Sequence, residues 1–318
     1  MINRRDFIRN TGAAAFGGML LSLPGNVLSL GKQQQLPAPG LQLYTLGSKL
    51  DEDLDGSLKR IAAIGYKHLE SASSRKGGYY GLSAKEFAVK VRELGLSWDA
   101  HHAPGAPSRP RPNADGSTRT VPPRKNLQEN YQEIVDEVAE AGLKFLVCPG
   151  TPIGTMDEIN QSIETFNKTG EACKKAGLVF AFHNHTREFE PVDGKLPYDL
   201  FLTQVPEDLM KMELDLAWAT KAGVDPVELF KKSPGRYPLW HVKDLDKEQK
   251  AAEVGTGSVD FKRIFENAGA AGLKNYFVEQ DQAHRTGNGD QVLGVEEQAL
   301  VAAEHEAPVV RVRRPDRP

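Results

Sequence analysis

Met156-Asp-Glu-Ile-Asn-Gln-Ser-Ile-Glu-Thr-Phe-Asn-Lys-Thr-Gly-Glu-Ala-Cys-Lys-Lys-Ala-Gly177 runs directly into Leu178-Val-Phe-Ala-Phe-His183. The first stretch reads as a long helix closed by a glycine. The second reads as a short apolar strand that ends on a polar residue. The same junction recurs along the chain as Ile64-Gly65-Tyr66, Leu94-Gly95-Leu96 and Ala141-Gly142-Leu143. One structural device, a helix capped by glycine before the next strand, is therefore reused, and these glycines are architecture rather than chemistry.

Working outward, strands are predicted at Leu41–Leu46, Tyr66–Glu70, Leu96–His102, Lys144–Cys148, Leu178–His183, Leu209–Asp215, Tyr237–Val242 and Asn275–Glu279. Helices are predicted over Asp51–Gly65, Ser83–Gly95, Asn126–Gly142, Met156–Gly177, Pro226–Lys232 and Phe261–Gly272. The first of these carries Leu54, Leu58, Ile61, Ala62 and Ile64 at helical spacing. The second opens on a capping box, Ser83 with Glu86. Strands alternating with helices imply parallel pairing and right-handed crossovers. Eight such strands close a (β/α)8 TIM barrel, an α/β fold. An open doubly wound sheet is the rival, weakened because no G-x-G-x-x-G follows the first strand.

The 318 residues (34.9 kDa) suit one barrel domain. A net charge of -3 argues against a broad basic face for nucleic acid. Two cysteines, Cys148 and Cys173, exclude a disulfide-rich scaffold and leave open whether they pair or stay buried. Arg4 and Arg5, followed by Phe7 and an uncharged Thr11–Leu30, resemble a twin-arginine export signal. The expected organisation is an export signal and linker over 1–38, a barrel over 39–307 and a disordered tail over 308–318. The expected location is the bacterial periplasm, reached through the twin-arginine machinery, with no membrane span left after signal removal.

In a TIM barrel the site lies at the C-terminal ends of the strands. Those ends carry Glu70, His101, His102, Cys148, His183, Asn184, His185, Asp215, His241 and Glu279. His183, Asp215, His241 and Glu279 come from strands five to eight, neighbours around the barrel. Two imidazoles and two carboxylates suit one divalent Mn2+, Zn2+ or Fe2+. Singly, each has a plainer reading: Asp215 as a cap, Glu279 as a surface glutamate. His68, His284 and His305 read as surface residues.

Phe182-His-Asn-His-Thr-Arg-Glu-Phe189 resembles the Tyr-His-Asn-His-x-x-Glu-Phe motif of the sugar phosphate isomerase/epimerase family, the xylose-isomerase-like TIM barrels. Glu213-Leu-Asp-Leu-Ala-Trp-Ala-Thr-Lys-Ala-Gly223 with Asp225-Pro226, His241-Val-Lys-Asp244, Glu253-Val-Gly-Thr-Gly-Ser-Val-Asp-Phe261 and Phe277-Val-Glu-Gln-Asp281 are similar to further elements of that family, in the same order. The resemblance implies a metal held by Asp215, His241 and Glu279, with His183 standing where many members have glutamate. It implies isomerisation or epimerisation of a sugar by proton abstraction beside a carbonyl, through an enediolate. Glu279 and Glu188 are the expected proton carriers, and Lys243 the oxyanion stabiliser unless it pairs with Asp244. Glu70, His102 and His185 would contact substrate. Trp218, where many members have histidine, reads as a stacking platform or as a core residue.

Export favours a non-phosphorylated sugar or keto-sugar. A lyase acting on a 3-keto-glycoside and a non-catalytic sugar-binding barrel are the alternatives. The family also resembles metal-dependent endonucleases acting at abasic sites, which the charge and the export signal disfavour. Past Gln282 the sequence departs from the family. Val292–Glu306 is the one stretch available for an eighth helix, and the Arg-rich end reads as a natural or sequencing-derived change of frame.

Overall fold

The computed structural model describes residues 36–112, 117–119 and 124–281. Eight strands form a closed barrel: β1 (Gly40–Gln42), β2 (His68–Ser71), β3 (Ser97–His102), β4 (Phe145–Cys148), β5 (Val179–His183), β6 (Lys211–Asp215), β7 (Leu239–Val242) and β8 (Asn275–Val278). Every neighbouring pair is parallel, and β1 closes the ring against β8. The main helices are α1 (Leu54–Ile64), α2 (Ala84–Glu93), α3 (Leu127–Ala141), α4 (Met156–Ala176), α5 (Pro197–Gln204), α6 (Pro226–Lys232) and α7 (Phe261–Glu266). The predicted TIM barrel is the observed fold.

Local chemistry explains the elements. Gly65, Gly95, Gly142 and Gly177, the repeated glycines, all sit at positive φ, between 72 and 118°. That conformation ends a helix with little steric cost only for glycine. The Ser83 capping box forms in full. The first strand is shorter than predicted. Only Gly40–Gln42 pairs, and Leu43–Leu46 winds into a 3-10 turn because the Gln42 side chain accepts from the Tyr44 N–H at 3.0 Å. Gly40 is where β1 packs hardest on β8: a Cβ there would lie 2.5 Å from the Phe277 ring. Between β5 and β6, where no helix was predicted, α5 forms from Pro197 at its first turn, and a further short helix, Leu216–Lys221, follows β6.

The core has two layers. Ala100, Phe145, Val147, Ala181, Leu239 and Phe277 fill the barrel interior. A larger shell, including Phe166 against Phe180, Phe182 and Phe201, packs the helices on the strands. Side chains alternate along a strand. The inward positions therefore continue upward from the apolar layer to His102, His183, Asp215, His241 and Glu279. The register aligns His183 with Glu213 and Asp215 with His241, which sets polar groups of neighbouring strands side by side.

The opposite end of the barrel corrects the reading of His68 as a surface residue. Its side chain is 23% exposed, and its Nδ1 pairs with Asp99, which is buried. Lys144 Nζ (2.8 Å), Ser97 Oγ (3.0 Å) and Asn275 Nδ2 (3.2 Å) complete the shell around Asp99. Cys148 and Cys173 are both buried and free, so they do not pair. No helix among the described residues is long and apolar enough to cross a membrane. Residues 1–35 of the expected export segment, His284, His305, the Val292–Glu306 stretch and the 308–318 tail lie outside the described residues.

Candidate metal centre and active-site cavity

β5, β6, β7 and the end of β8 bring His183, Asp215, His241 and Glu279 together, all buried, with one ligand atom of each within 4.8 Å of the others. His183 Nε2 lies 3.3 Å from Asp215 Oδ2. His241 Nδ1 lies 2.7 Å from Glu279 Oε2, an ion-pair contact, while the buried His183 Nδ1 has no hydrogen-bond partner. Two imidazoles and two carboxylates converging in a buried site, with one imidazole nitrogen left unpartnered, suit a bound cation. The donor set fits Zn2+, Mn2+ or Fe2+.

Asp215 is placed for both roles open to it in the sequence. Its Oδ1 accepts from the Trp218 N–H at 2.8 Å and caps the Leu216–Lys221 helix, while Oδ2 faces the cluster. Asn184, from the His-Asn-His motif and just past the end of β5, fixes Asp215 by accepting from its N–H at 3.1 Å. Lys243 does not pair with Asp244. Its Nζ lies 2.9 Å from Glu279 Oε2, 3.1 Å from Asp215 Oδ2 and 3.1 Å from Asp281 Oδ1. Burial alone would lower the Lys243 pKa, but these carboxylates outweigh it and hold the ammonium well above its ordinary range. Burial likewise opposes ionisation of Glu279, and Lys243 and His241 overcome it, so its carboxyl stays well below the usual range. Asp244 instead accepts from the N–H groups of Leu245, Gly255, Gly257 and Val259, and so folds the Gly-Thr-Gly segment back onto itself beside the cavity.

A second buried group, Glu70, His102 and Glu213 with His241, lies directly beneath. His102 Nε2 is 2.9 Å from Glu213 Oε2 and 3.2 Å from Glu70 Oε2. Burial would depress the His102 pKa, but the two carboxylates raise it to about 9, so this ring is an imidazolium at neutral pH.

A cavity of about 650 Å³ opens above the centre. Among the predicted site residues, His102, His183, His185, Trp218, Lys243 and Glu279 line it. Trp218 is half-buried, with its ring 6.0 Å from that of His185 and Lys221 Nζ 5.1 Å over its face. It forms a wall of the cavity. Glu188 is not among the lining residues. It is buried, with its Oε2 accepting from the His185 N–H at 2.8 Å, a contact that braces the loop after β5. Glu70 is fully buried and does not reach the cavity. The sequence reading missed Glu213 and Asp281, whose i, i+2 spacing from Asp215 and Glu279 was the available signal.

A family model described as the xylose isomerase-like TIM barrel matches residues 58–301. No curated protein matches the chain. Among solved structures, a sugar phosphate isomerase/epimerase from Parabacteroides distasonis ATCC 8503 is 29% identical (TM-score 0.69), over 87% of this chain and 96% of that one. A second from the same organism is 26% identical (TM-score 0.69), over 86% of this chain and 99% of that one. The IolI protein, solved with a zinc atom, is 14% identical (TM-score 0.62) over 86% of this chain and 100% of that one, a likeness of fold alone.

Proposed function

The chain belongs to the xylose isomerase-like TIM-barrel family, and from that premise we propose that it is a metal-dependent sugar isomerase or epimerase acting on a non-phosphorylated sugar or keto-sugar. The observation that carries this reading is the convergence of His183, Asp215, His241 and Glu279, from four neighbouring strand ends, at the floor of the cavity. The sugar phosphate isomerase/epimerase names of the two Parabacteroides structures support the reaction class.

A divalent cation bound by these four residues would polarise a carbonyl with its adjacent hydroxyl and stabilise the negative charge that develops on them. Glu279 reaches the cavity and is held ionised by Lys243 and His241, so it is the base placed to take the proton beside the carbonyl. Return of that proton to the neighbouring carbon isomerises the sugar; protonation from the opposite face epimerises it. Lys243 Nζ is placed to donate to the developing oxyanion. Trp218 and His185 wall the space that a sugar ring would fill.

A second reading rests on His183. With no glutamate at the end of the fifth strand, a two-glutamate shuttle lacks one partner. β-Elimination from a 3-keto-glycoside needs only one proton abstracted beside the keto group. Product analysis separates the two, because elimination releases the aglycone.

Metal content of the purified protein tests the common core. About one Mn2+ or Zn2+ per chain is expected, lost in Asp215→Asn and His241→Ala, together with solvent-deuterium incorporation into free or 3-keto sugars. A folded wild type that takes up neither ion overturns the reading. We also propose that residues 1–38 act as a twin-arginine export address. Replacing Arg4 and Arg5 by lysine should hold the protein in the cytoplasmic fraction, and unchanged fractionation would sink the idea.

A further inference from the structure

Beneath the metal centre lies a buried layer that none of the steps above uses: Gln42, Glu70 and Glu213. Glu70 Oε2 collects three nitrogens, Gln42 Nε2 at 2.8 Å, His241 Nε2 at 2.6 Å and His102 Nε2 at 3.2 Å. A carboxylate only accepts, so the 2.6 Å contact requires the His241 proton to sit on Nε2. Glu213 Oε2, 3.2 Å from the same nitrogen, presents a second acceptor. The His102 ring stacks on the His241 ring at 5.3 Å and 13° and limits its rotation. By the same rule Nδ1, 2.7 Å from the Glu279 carboxylate, carries a proton while no cation is bound; a cation would displace that proton and use the Nδ1 lone pair, whereas Glu70 keeps the Nε2 proton in place.

We propose that Glu70 is a positioning residue that selects Nδ1 of His241 as the metal-binding nitrogen. This replaces the expected contact with a substrate hydroxyl, which its complete burial beneath the cavity floor does not allow. Such carboxylate–histidine–metal relays fix both the tautomer and the ring plane of a ligand. Gln42, whose amide donates to the same oxygen, anchors the relay to β1 at the far side of the barrel seam. The inference rests on the metal reading proposed above.

The test uses the full chain labelled with 15N-histidine, titrated with Zn2+ against a chromophoric chelator. In the Zn2+-loaded wild type the His241 proton should appear on Nε2. Glu70→Leu should weaken Zn2+ binding about ten- to a hundredfold, the usual effect of losing such a partner. Glu70→Gln, which keeps an acceptor oxygen, should restore part of that loss. Equal Zn2+ affinity in wild type and both variants would overturn the inference while leaving the metal centre intact. A proton found on Nδ1 in the loaded wild type would overturn it whether or not either variant folds. A wild type that takes up no Zn2+ overturns the metal reading first, and this inference with it.

Discussion

Lys243 shows how much a single buried charge carries here. Its ammonium is shared among Asp215, Glu279 and Asp281, with its side chain only 7% exposed. Replacing it by methionine leaves three carboxylates crowded in a buried site. Removing one partner of a buried ion pair costs about 3–5 kcal/mol. Lys243→Met should therefore lower urea stability by about 3 kcal/mol in chelator, and saturating Zn2+ should recover much of the loss by neutralising the same oxygens. Equal stability of wild type and variant in chelator would contradict that. The residue's partners were hidden in the sequence for a geometric reason. Asp244 is adjacent in the chain, but successive side chains of an extended segment point to opposite sides. Asp244 therefore turns away to bind backbone N–H groups while Lys243 faces the site. The same rule makes Glu213 readable in hindsight, two residues before Asp215, although Met212 and Leu214 on either side disguised it as part of an ordinary strand. Glu188 went the other way: its motif position suggested chemistry, and only its contact with the His185 N–H shows that it braces the loop.

Among the elements, the segment from Asp244 to Val259 ties motif to architecture. The Asp244 carboxylate accepts four backbone N–H groups, and a Cβ on Gly257 would fall 2.3 Å from Asp244 Oδ1 and from the Leu245 carbonyl oxygen. Hydrogen bonds to a charged group contribute about 1.5–3 kcal/mol each, with part regained from water where the loop is exposed. Asp244→Ala should lower the urea midpoint by an amount equivalent to about 2 kcal/mol and open residues 245–258 to limited proteolysis. Gly257→Ala should act in the same direction. Resistance to protease unchanged in both would show that the loop is held by other contacts. Elements whose signal was local were legible: the glycine-capped helices, the Ser83 box and seven of the eight apolar strands formed close to where the pattern placed them. Where a side chain competes for the backbone the reading failed, as at Leu43–Leu46, whose apolar run looked extended until Gln42 capped it into a turn. The eight-residue α5 escaped because two turns burying only Pro197, Tyr198 and Phe201 leave little periodicity to detect.

Across the whole molecule the barrel divides its polar interior between two ends, the proposed metal centre at the C-terminal end of the strands and a buried ion-pair cluster around Asp99 at the other. Asp99 is the key group of the second end. Burial pushes its carboxyl up, but hydrogen bonds from His68 and Lys144 outweigh that and hold its pKa down at about 2. An unfolded aspartate titrates near about 3.9. Because the folded-state pKa is depressed, the stabilisation is fully present above the unfolded value, and it falls away as pH drops from about 4 toward 2, where the folded carboxyl itself takes a proton. A shift of this size corresponds to a stability term on the order of 2 kcal/mol. Denaturant titrations between pH 2 and pH 6 check this. Asp99→Asn should be less stable than wild type near pH 6, and the two stability curves should converge near pH 2. Curves that run parallel down to pH 2 would mean that Asp99 carries no such charge-dependent term. His102 belongs to the other end and titrates at the other extreme, raised to about 9 by Glu70 and Glu213. The acid limb of the stability curve should therefore answer to Asp99 without mixing in protonation of His102, which is complete well above that window. Substitutions at the two ends should be additive, since they share no partner. Asp99→Asn should thus shift the acid limb while leaving Zn2+ affinity unchanged at pH 7, and a coupled loss of metal binding would show that the barrel transmits strain from one end to the other.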